Sequence, residues 1–446
     1  MMTIPAGAAF ILERLNARGY AAYVVGGCVR DSLLGVTPND WDVCTSARPE
    51  EMQRVFADCH VVETGLKHGT LTVVLDHVPY EVTTFRVDGA YTDHRHPDGV
   101  TFVTDVRADL ARRDFTVNAM AYNPAEGLVD AFGGQADLQA GIIRCVGEAR
   151  TRFDEDALRI LRALRFAATY GFRIEDGTAQ AAQELAHTLH GVAQERIRVE
   201  LAKLLCGRAA GDILRRFRGV LAECLPEIAP MFDFAQHTPF HRFDVWEHTV
   251  RAVEHVPPTE ALRLAMLLHD SGKPHVFTMD EKGIGHAYGH QKKSVELAEI
   301  ALGRLRVDNA TRDRVLTLVE HHDMPLAKDD RMIRRRLNQF GEETLRQLID
   351  IQRGDAYGKG THTAEQIEAH HRRTLDALEA VLAQEPCVTL RQLAVGGREM
   401  GALGLRGKEI GGMLNRLLED VMDDRVANER EALMARAQHI MEETGR

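Results

Sequence analysis

Apolar residues follow two rhythms along this chain, and the rhythm changes near residue 140. Before that point, short β-branched and partly alternating runs such as "YAAYVVGG" and "HGTLTVVLDHVPYEVTTF" stand between Gly, Pro and Asp residues, which predicts strands and a hairpin. The opening "MMTIPAGAAFILERLNARGY" is amphipathic and predicts a first helix; with no basic region ahead of its apolar run, it does not read as a signal peptide. After "DAFGGQADLQAGIIRCVG" the strand signal almost vanishes. From about residue 150 apolar residues recur at spacings of three and four, as in Leu158, Leu161, Leu164 and again Leu201, Leu204, Leu205. Pro226 and Pro230 interrupt this run, and "FAQHTPFHRFDVWEHTV" opens a His-rich helical block that reaches about residue 375. "EPCVTL" then begins a last helical segment with Gly-rich turns. The expected layout is an α+β head with a mixed sheet over residues 1–140, followed by a long all-α body, the whole elongated and multi-domain. The body divides at the breaks into 141–235, 236–375 and 376–446.

Composition narrows the class. The 446 residues are 44% hydrophobic and 27% charged, an ordinary globular balance with length for roughly three domains. Seven scattered Cys without a C-x-x-C pair speak against a disulfide framework or a Cys-type zinc site and fit a reducing cytoplasm. No uncharged apolar run of about 18 residues appears, so no membrane partner is expected. A formal charge of −11 argues mildly against a polyanion, but binding one needs only a local basic surface. Arginines cluster at Arg112-Arg113, at 159–165, at Arg215-Arg216-Arg218 and in "RMIRRR" at 331–336. No pattern speaks to oligomeric state.

The first chemistry-bearing stretch is "VVGGCVRDSLLGVTPNDWDVCTS", residues 24–46. Two carboxylates at i and i+2 of a strand share a face, so Asp40 and Asp42 are expected on one side and Trp41 on the other, toward the core. Carboxylates that close can share divalent cations, which offset their repulsion. Gly26-Gly27 lets backbone N–H groups approach phosphate oxygens, and Arg30 supplies the positive charge. Either motif alone is more often a solvated turn; the ordered combination is not.

That combination resembles the nucleotidyltransferase superfamily shared by DNA polymerase β, poly(A) polymerases and tRNA CCA-adding enzymes. "DLARRDFTVNAMAYNP" (109–124) resembles the second signature of the class II tRNA nucleotidyltransferase and bacterial poly(A) polymerase family, which implies a polymerase β-like palm in the head. The resemblance implies that Asp40 and Asp42 hold Mg²⁺, that Gly27, Arg30 and Arg113 position a triphosphate, and that Asn118 orders the nucleotide pocket. Glu81 is either a third carboxylate of the site or a plain strand-face acid. "FDEDALRILRALRFAATYGF" (153–172) resembles the base-reading helix, with Asp156, Arg159, Arg162 and Arg165 fanned across one side. Asp156 accepts from the exocyclic amine that C and A share, and Arg159 donates to the ring edge. Arg162 and Arg165 serve phosphates or hold the geometry. "ERIRVELAKLL" (195–205) matches the helix that braces this reader, and "TTFRVDGAYTDHRHPDGVTF" (83–102) resembles the loop of relatives that add the terminal A.

A second constellation lies in the body. His248, His269-Asp270, His290, His321-His322 and Asp355 appear in an order that resembles the HD superfamily of metal-dependent phosphohydrolases. The resemblance implies one divalent metal on His248, His269, Asp270 and Asp355, and a second on His290 with His321 or His322, His321 being the one preferred. Lys273 is expected near a phosphate. Imidazole with carboxylate suits a transition metal such as Ni²⁺ or Mn²⁺ better than Mg²⁺. Ser271 stands where that superfamily usually has Ile. The last 65 or so residues resemble the tail that grips the tRNA elbow.

The reading is therefore a cytoplasmic tRNA nucleotidyltransferase that adds CCA from CTP and ATP without a template. An enzyme adding only A beside a CC-adding partner fits the same motifs. Two other classes stay open: an HD phosphohydrolase on nucleotides or RNA ends with an inactive head, and a non-catalytic tRNA-binding protein.

Overall fold

The computed structural model describes residues 2–66, 69–89 and 99–443. The chain forms two units, Met1–Ala229 with Gly303–Val307, and Pro230–Leu302 with Asp308–Arg446.

The first unit opens with α1 (Ala6–Ala17), β1 (Ala22–Val25), α2 (Gly27–Leu33), β2 (Val43–Thr45), α3 (Pro49–Val55), β3 (His60–Val62), β4 (Thr70–Leu75) and β5 (Val78–Thr84). It continues through β6 (Arg86–Asp88), β7 (Val100–Phe102), α4 (Val106–Ala111), β8 (Met120–Asn123), β9 (Gly127–Asp130) and α5 (Gly134–Ala140). Seven strands make a mixed sheet in the order β3-β4-β5-β2-β1-β8-β9. All neighbours are antiparallel except β2 and β5, which run parallel. The β4–β5 hairpin closes through Asp76-His77, both at positive φ (49° and 65°), the backbone a two-residue turn requires when it follows strand twist.

Alternation decides what each sheet face covers. Val24, Val43, Val82 and Leu71 share one register row on the face toward α1 and α3. Tyr23, Val25, Cys44, Ala119 and Ala121 lie on the opposite face, in one core with Phe85 and with Val106 and Leu110 of α4. That second face also carries the site. Residues 90–98, the middle of the stretch 83–102 expected to be the A-adding loop, lie outside the described residues; its flanks pair as β6 and β7.

After the sheet come α6 (Ala149–Glu155), α7 (Leu158–Tyr170), α8 (Asp176–Glu184), α9 (Gln194–Leu205), α10 (Ala210–Arg216) and α11 (Arg218–Cys224). The only strands among them are the two-residue β10 (Ile142–Ile143) and β11 (Arg173–Ile174). The stretch expected to be one base-reading helix is two, because the chain breaks at Asp156 (φ −141°, ψ 103°). Three arginines therefore sit on α7, and Asp156 stands before it.

Beyond residue 230 follow α12 (Val245–Glu254), α13 (Glu260–Leu268), α14 (Lys273–Val276), a short hairpin of β12 (Thr278–Met279) and β13 (Gly285–His286), α15 (His290–Arg304) and α16 (Asn309–Glu320). The long α17 (Asp330–Lys359) carries a kink at Gly341, whose φ is 73°. Then come α18 (Ala364–Leu382), α19 (Gly397–Ala402), α20 (Lys408–Met422) and α21 (Arg430–Glu443). The last three close a core of their own around Met400, Leu417, Leu433 and Ala437. No helix among the described residues is long and apolar enough to cross a membrane.

Candidate nucleotide cleft and candidate metal centre

Asp40 and Asp42 do not lie on a strand. They occupy the segment just before β2, where the Asp42 carbonyl still accepts from Val25 N at 3.0 Å. Asp40 is exposed and Asp42 half-buried; Trp41 is also only half-buried, so it is not the core residue the strand pattern implied. The parallel register sets Val43 beside Val82, which places Asp42 level with Glu81 on the adjacent strand and on the same face. Burial, together with Asp40 and Glu81, pushes the Asp42 carboxyl up to about 6, while Arg113 opposes the shift. An acidic group so poorly compensated is one that a divalent cation fits.

Arg113 approaches the acidic group from the end of α4, held by Asp109 at 3.4 Å, with its buried Nε left without a hydrogen-bond partner. Gly26 makes room for it. A Cβ at position 26 would meet Arg113 Nη1 at 2.8 Å, and φ there is +79°. Arg30 is buried, unlike a free phosphate-seeking side chain. Its Nη1 donates to Asn118 Oδ1 at 2.6 Å, its Nε donates to Asp31 at 2.9 Å, and it lies over Phe166 and Tyr170. Asn118 in turn donates to Asp114 at 3.1 Å. Burial penalises the charge on Asp114, but Arg162 and Asn118 outweigh it and hold the carboxyl at about 2.

The residues expected to read the base are anchored by neighbours that the motif did not name. Arg162 grips Asp114 at 2.6 Å, and Arg165 grips the buried Glu200 of α9 at 2.5 Å. Asp156 caps α7 through Leu158 N (3.1 Å) and receives Arg196 from α9 at 3.0 Å. Arg159 pairs with Glu155 at 2.5 Å and donates to the Arg112 carbonyl at 3.1 Å. Gly26, Gly27, Arg30, Asp40, Asp42, Arg113, Asn118, Asp156, Arg159, Arg162 and Arg165 all line one open cleft of about 1020 Å³. Asp114, Arg196 and Glu200 were missed in the sequence. The only signal was their place inside "RRD" and "ERIRVELAKLL", where charge reads equally as a solvated face.

The second unit buries His248, His269 and His322 and half-buries His290. His248 Nε2 and His269 Nε2 face each other at 3.0 Å, and Asp270 Oδ2 lies 3.1 Å from the first and 3.3 Å from the second. Asp355 Oδ1 completes this group, 3.3 Å from His248. The other oxygen of Asp270 lies 3.3 Å from His290 Nε2 and 3.8 Å from His322 Nε2, so one carboxylate serves two triads. His269, His290 and His322 each give Nδ1–H to a backbone carbonyl (Met266, Ala287, Val319; 2.7–2.9 Å), which leaves Nε2 as an inward lone pair. That donor set fits a divalent transition metal. The second triad takes His322; His321 is at the end of α16, packed on Phe340 and outside the cluster, contrary to the preferred sequence reading. Lys273 lies beside the cluster, 2.6 Å from Asp270.

Three family models match in succession. Residues 22–144 match the poly A polymerase head domain, 171–232 the probable RNA and SrmB-binding site of polymerase A, and 240–357 the HD domain. The order of matches is that of a polymerase head, a probable RNA-binding segment and an HD domain, a class that implies divalent-metal use. In that order of segments the chain is similar to the class II tRNA nucleotidyltransferase and bacterial poly(A) polymerase family in its HD-carrying form.

Among curated relatives, the CCA-adding enzyme of Leuconostoc mesenteroides is 51% identical over 205 residues, 46% of this chain and 50% of that protein. The CCA-adding enzyme of Lactiplantibacillus plantarum is 50% identical over 199 residues, 44% and 48% of the two chains. This chain therefore spans about half the length of the curated relatives it matches. Among solved structures, the Bacillus stearothermophilus CCA-adding enzyme in complex with CTP has a TM-score of 0.76 at 29% identity, covering 98% of both chains.

Proposed function

We propose that the chain adds CCA to the 3′ end of tRNA from CTP and ATP, in the cytoplasm, with residues 1–140 as catalytic head, 141–235 as base-reading neck, 236–375 as HD domain and 376–446 as a tRNA-gripping tail. One observation carries this reading: the Asp40–Asp42 pair, Arg113 and the Asp156–Arg159 pair share a single cleft. The resemblance over 98% of the chain to an enzyme solved with CTP supports it.

Asp40 and Asp42, with Glu81 alongside, would hold Mg²⁺, which when bound supplies positive charge to the attacking hydroxyl and the triphosphate. The tRNA 3′ oxygen bonds to the α-phosphorus, the bond from that phosphorus to the bridging oxygen breaks, and pyrophosphate leaves. Gly26 and Gly27 let the backbone approach the phosphates, and Arg113 carries the nearest cation. Arg30 orders the pocket through Asn118 and Asp31. Asp156 accepts the exocyclic amine of C or A, Arg159 donates to the ring edge, and Arg196 sets the direction of Asp156. Arg162 and Arg165 hold α7 against Asp114 and Glu200. The tRNA body is recognised by shape and backbone.

Three tRNA transcripts, ending before CCA, after C or after CC, test this with labelled CTP or ATP and Mg²⁺. Growth of the first to full CCA is the expected result. Addition only of A to the last replaces the proposal with the A-adding alternative, and no addition to any transcript overturns both.

A second activity is favoured by the bridging Asp270. We infer that the HD site hydrolyses a phosphate ester with Ni²⁺ or Mn²⁺, water giving its oxygen to phosphorus and a proton to the departing alcohol. Phosphate-ester hydrolysis of a 2′,3′-cyclic nucleotide, absent from Asp270→Ala, is the corresponding test.

A further inference from the structure

Among the described residues only three aromatic side chains are exposed: Phe10, Phe240 and Tyr288. Single exposed apolar residues need no account, but two of these three rim one cleft, the one that contains Asp270, His290, His322 and Asp355. Tyr288 is 80% exposed even though its ring stacks on His286, with centroids 5.1 Å apart and planes 9° off parallel. One ring face is backed by imidazole, and the other is open to the cleft and solvent. Phe240 is 69% exposed. Neither ring contributes to the core of the unit, so folding does not account for them.

Their positions tie them to the metal centre. Tyr288 precedes the ligand His290 by two residues, which limits their Cα separation to about 7 Å. Phe240 adjoins His241, whose ring centroid is 5.2 Å from that of His248. On the inner side the cleft has two ammonium groups: Lys273 on Asp270 and Lys359 on Asp355. Its volume of about 330 Å³ lies at the lower end of small-ligand pockets. Cations and a metal-ligand cluster at the base, with a backed aromatic shelf at the mouth, match a ligand that is anionic at one end and flat and aromatic at the other.

We propose that this cleft takes a nucleoside phosphate, its base stacked on the rim of Tyr288 and Phe240 and its phosphate directed to Lys273, Lys359 and the histidine cluster. The proposal rests on the hydrolase reading of the HD site and adds what that reading lacks, the means of selecting a nucleotide over any other phosphate ester. Base stacking on an aromatic ring tolerates all bases, so the selectivity is for the presence of a base and not for its identity.

The test compares release of phosphate from adenosine monophosphates with release from ribose 5-phosphate, which has no base, in the full chain with Mn²⁺. In the double variant Tyr288→Ala/Phe240→Ala the kcat/KM ratio of nucleotide to ribose 5-phosphate is expected to fall roughly tenfold, mainly through KM, and Tyr288→Phe restores most of it. An unchanged ratio overturns the proposal. If the wild-type protein hydrolyses neither compound, nor the 2′,3′-cyclic nucleotide, the hydrolase reading itself has failed. Binding then decides the shelf alone: ethenoadenosine monophosphate should be quenched by wild-type protein with Mn²⁺ and not by the double variant, and equal fluorescence in both overturns the proposal. Competition by an oligonucleotide with the same terminal phosphate separates the two sources of the ligand: tighter binding than the mononucleotide assigns the shelf to an RNA end, weaker binding to a free nucleotide.

Discussion

Asp42 and Asp114 are buried or half-buried acids of one cleft, yet their carboxyls shift in opposite directions, and their neighbours explain why. Burial raises both; Asp42 also faces other acids and is pushed up to about 6, whereas at Asp114 Arg162 and Asn118 outweigh burial and hold the carboxyl at about 2. A raised folded-state value means that the proton is bound more tightly in the folded chain. Stability from Asp42 therefore grows as the pH falls from above 6 toward 3.8, and Asp42→Asn should raise the melting temperature of metal-free protein at pH 7.5 while abolishing nucleotide addition. For Asp114 the sign reverses. Its stabilisation is present above pH 3.8 and lost as the pH falls through 2, and Asp114→Asn should cost on the order of 2 kcal/mol in denaturant unfolding of the head. The same geometry tests Glu81. Below pH 6 the proton competes with the cation at Asp42, so the Mg²⁺ needed for half-maximal addition should rise by up to about tenfold per pH unit. In Glu81→Gln one repelling charge is gone, and the break in this profile should move to lower pH; an unmoved break removes Glu81 from the site.

At the scale of elements, glycines set how closely the helices of the HD site approach. A Cβ on Gly358 would meet the His248 carbonyl oxygen at 2.6 Å, and one on Gly354 the Ala252 oxygen at 2.8 Å. Both contacts are with backbone, which cannot step aside. The pair at i and i+4 seats α17 directly on α12, and that contact brings Asp355 to 3.3 Å from His248. Gly358→Ala should force the helices apart and weaken Mn²⁺ or Ni²⁺ binding by roughly tenfold or more in calorimetry, with the helical circular-dichroism signal retained. Helix and strand identity were legible because the apolar period changes from two to between three and four. What stayed illegible were ends and breaks. His321 and His322 are adjacent at the end of α16, where the periodic pattern stops and no longer decides which side chain turns inward. "FDEDALRILRAL" holds no Gly or Pro, so the break at Asp156 left no mark in composition; Asp156 makes the break itself by capping α7 with its own side chain. Residue type and spacing singled out Asp40 and Asp42, which do line the cleft, although the strand they were assigned to begins only at Val43.

At the scale of the whole molecule, the two proposed chemistries belong to two units with separate donor sets. The head cleft is lined by residues between Gly26 and Arg208, and the cleft of the histidine cluster by residues between Phe234 and Lys359. Carboxylate oxygens alone favour a hard, loosely held cation, whereas four imidazoles around one bridging carboxylate favour a borderline metal held far more tightly. Brief treatment with EDTA followed by gel filtration should therefore strip the head and leave metal on the HD site, with addition restored by Mg²⁺ alone. Asp270→Ala should lower hydrolysis of the cyclic nucleotide more than a hundredfold while changing CCA addition less than twofold. Asp42→Ala should do the reverse and keep tRNA binding in a gel-shift assay. Loss of both activities in either variant would mean that the units share one chemistry, and metal analysis of each purified variant distinguishes that outcome from simple misfolding.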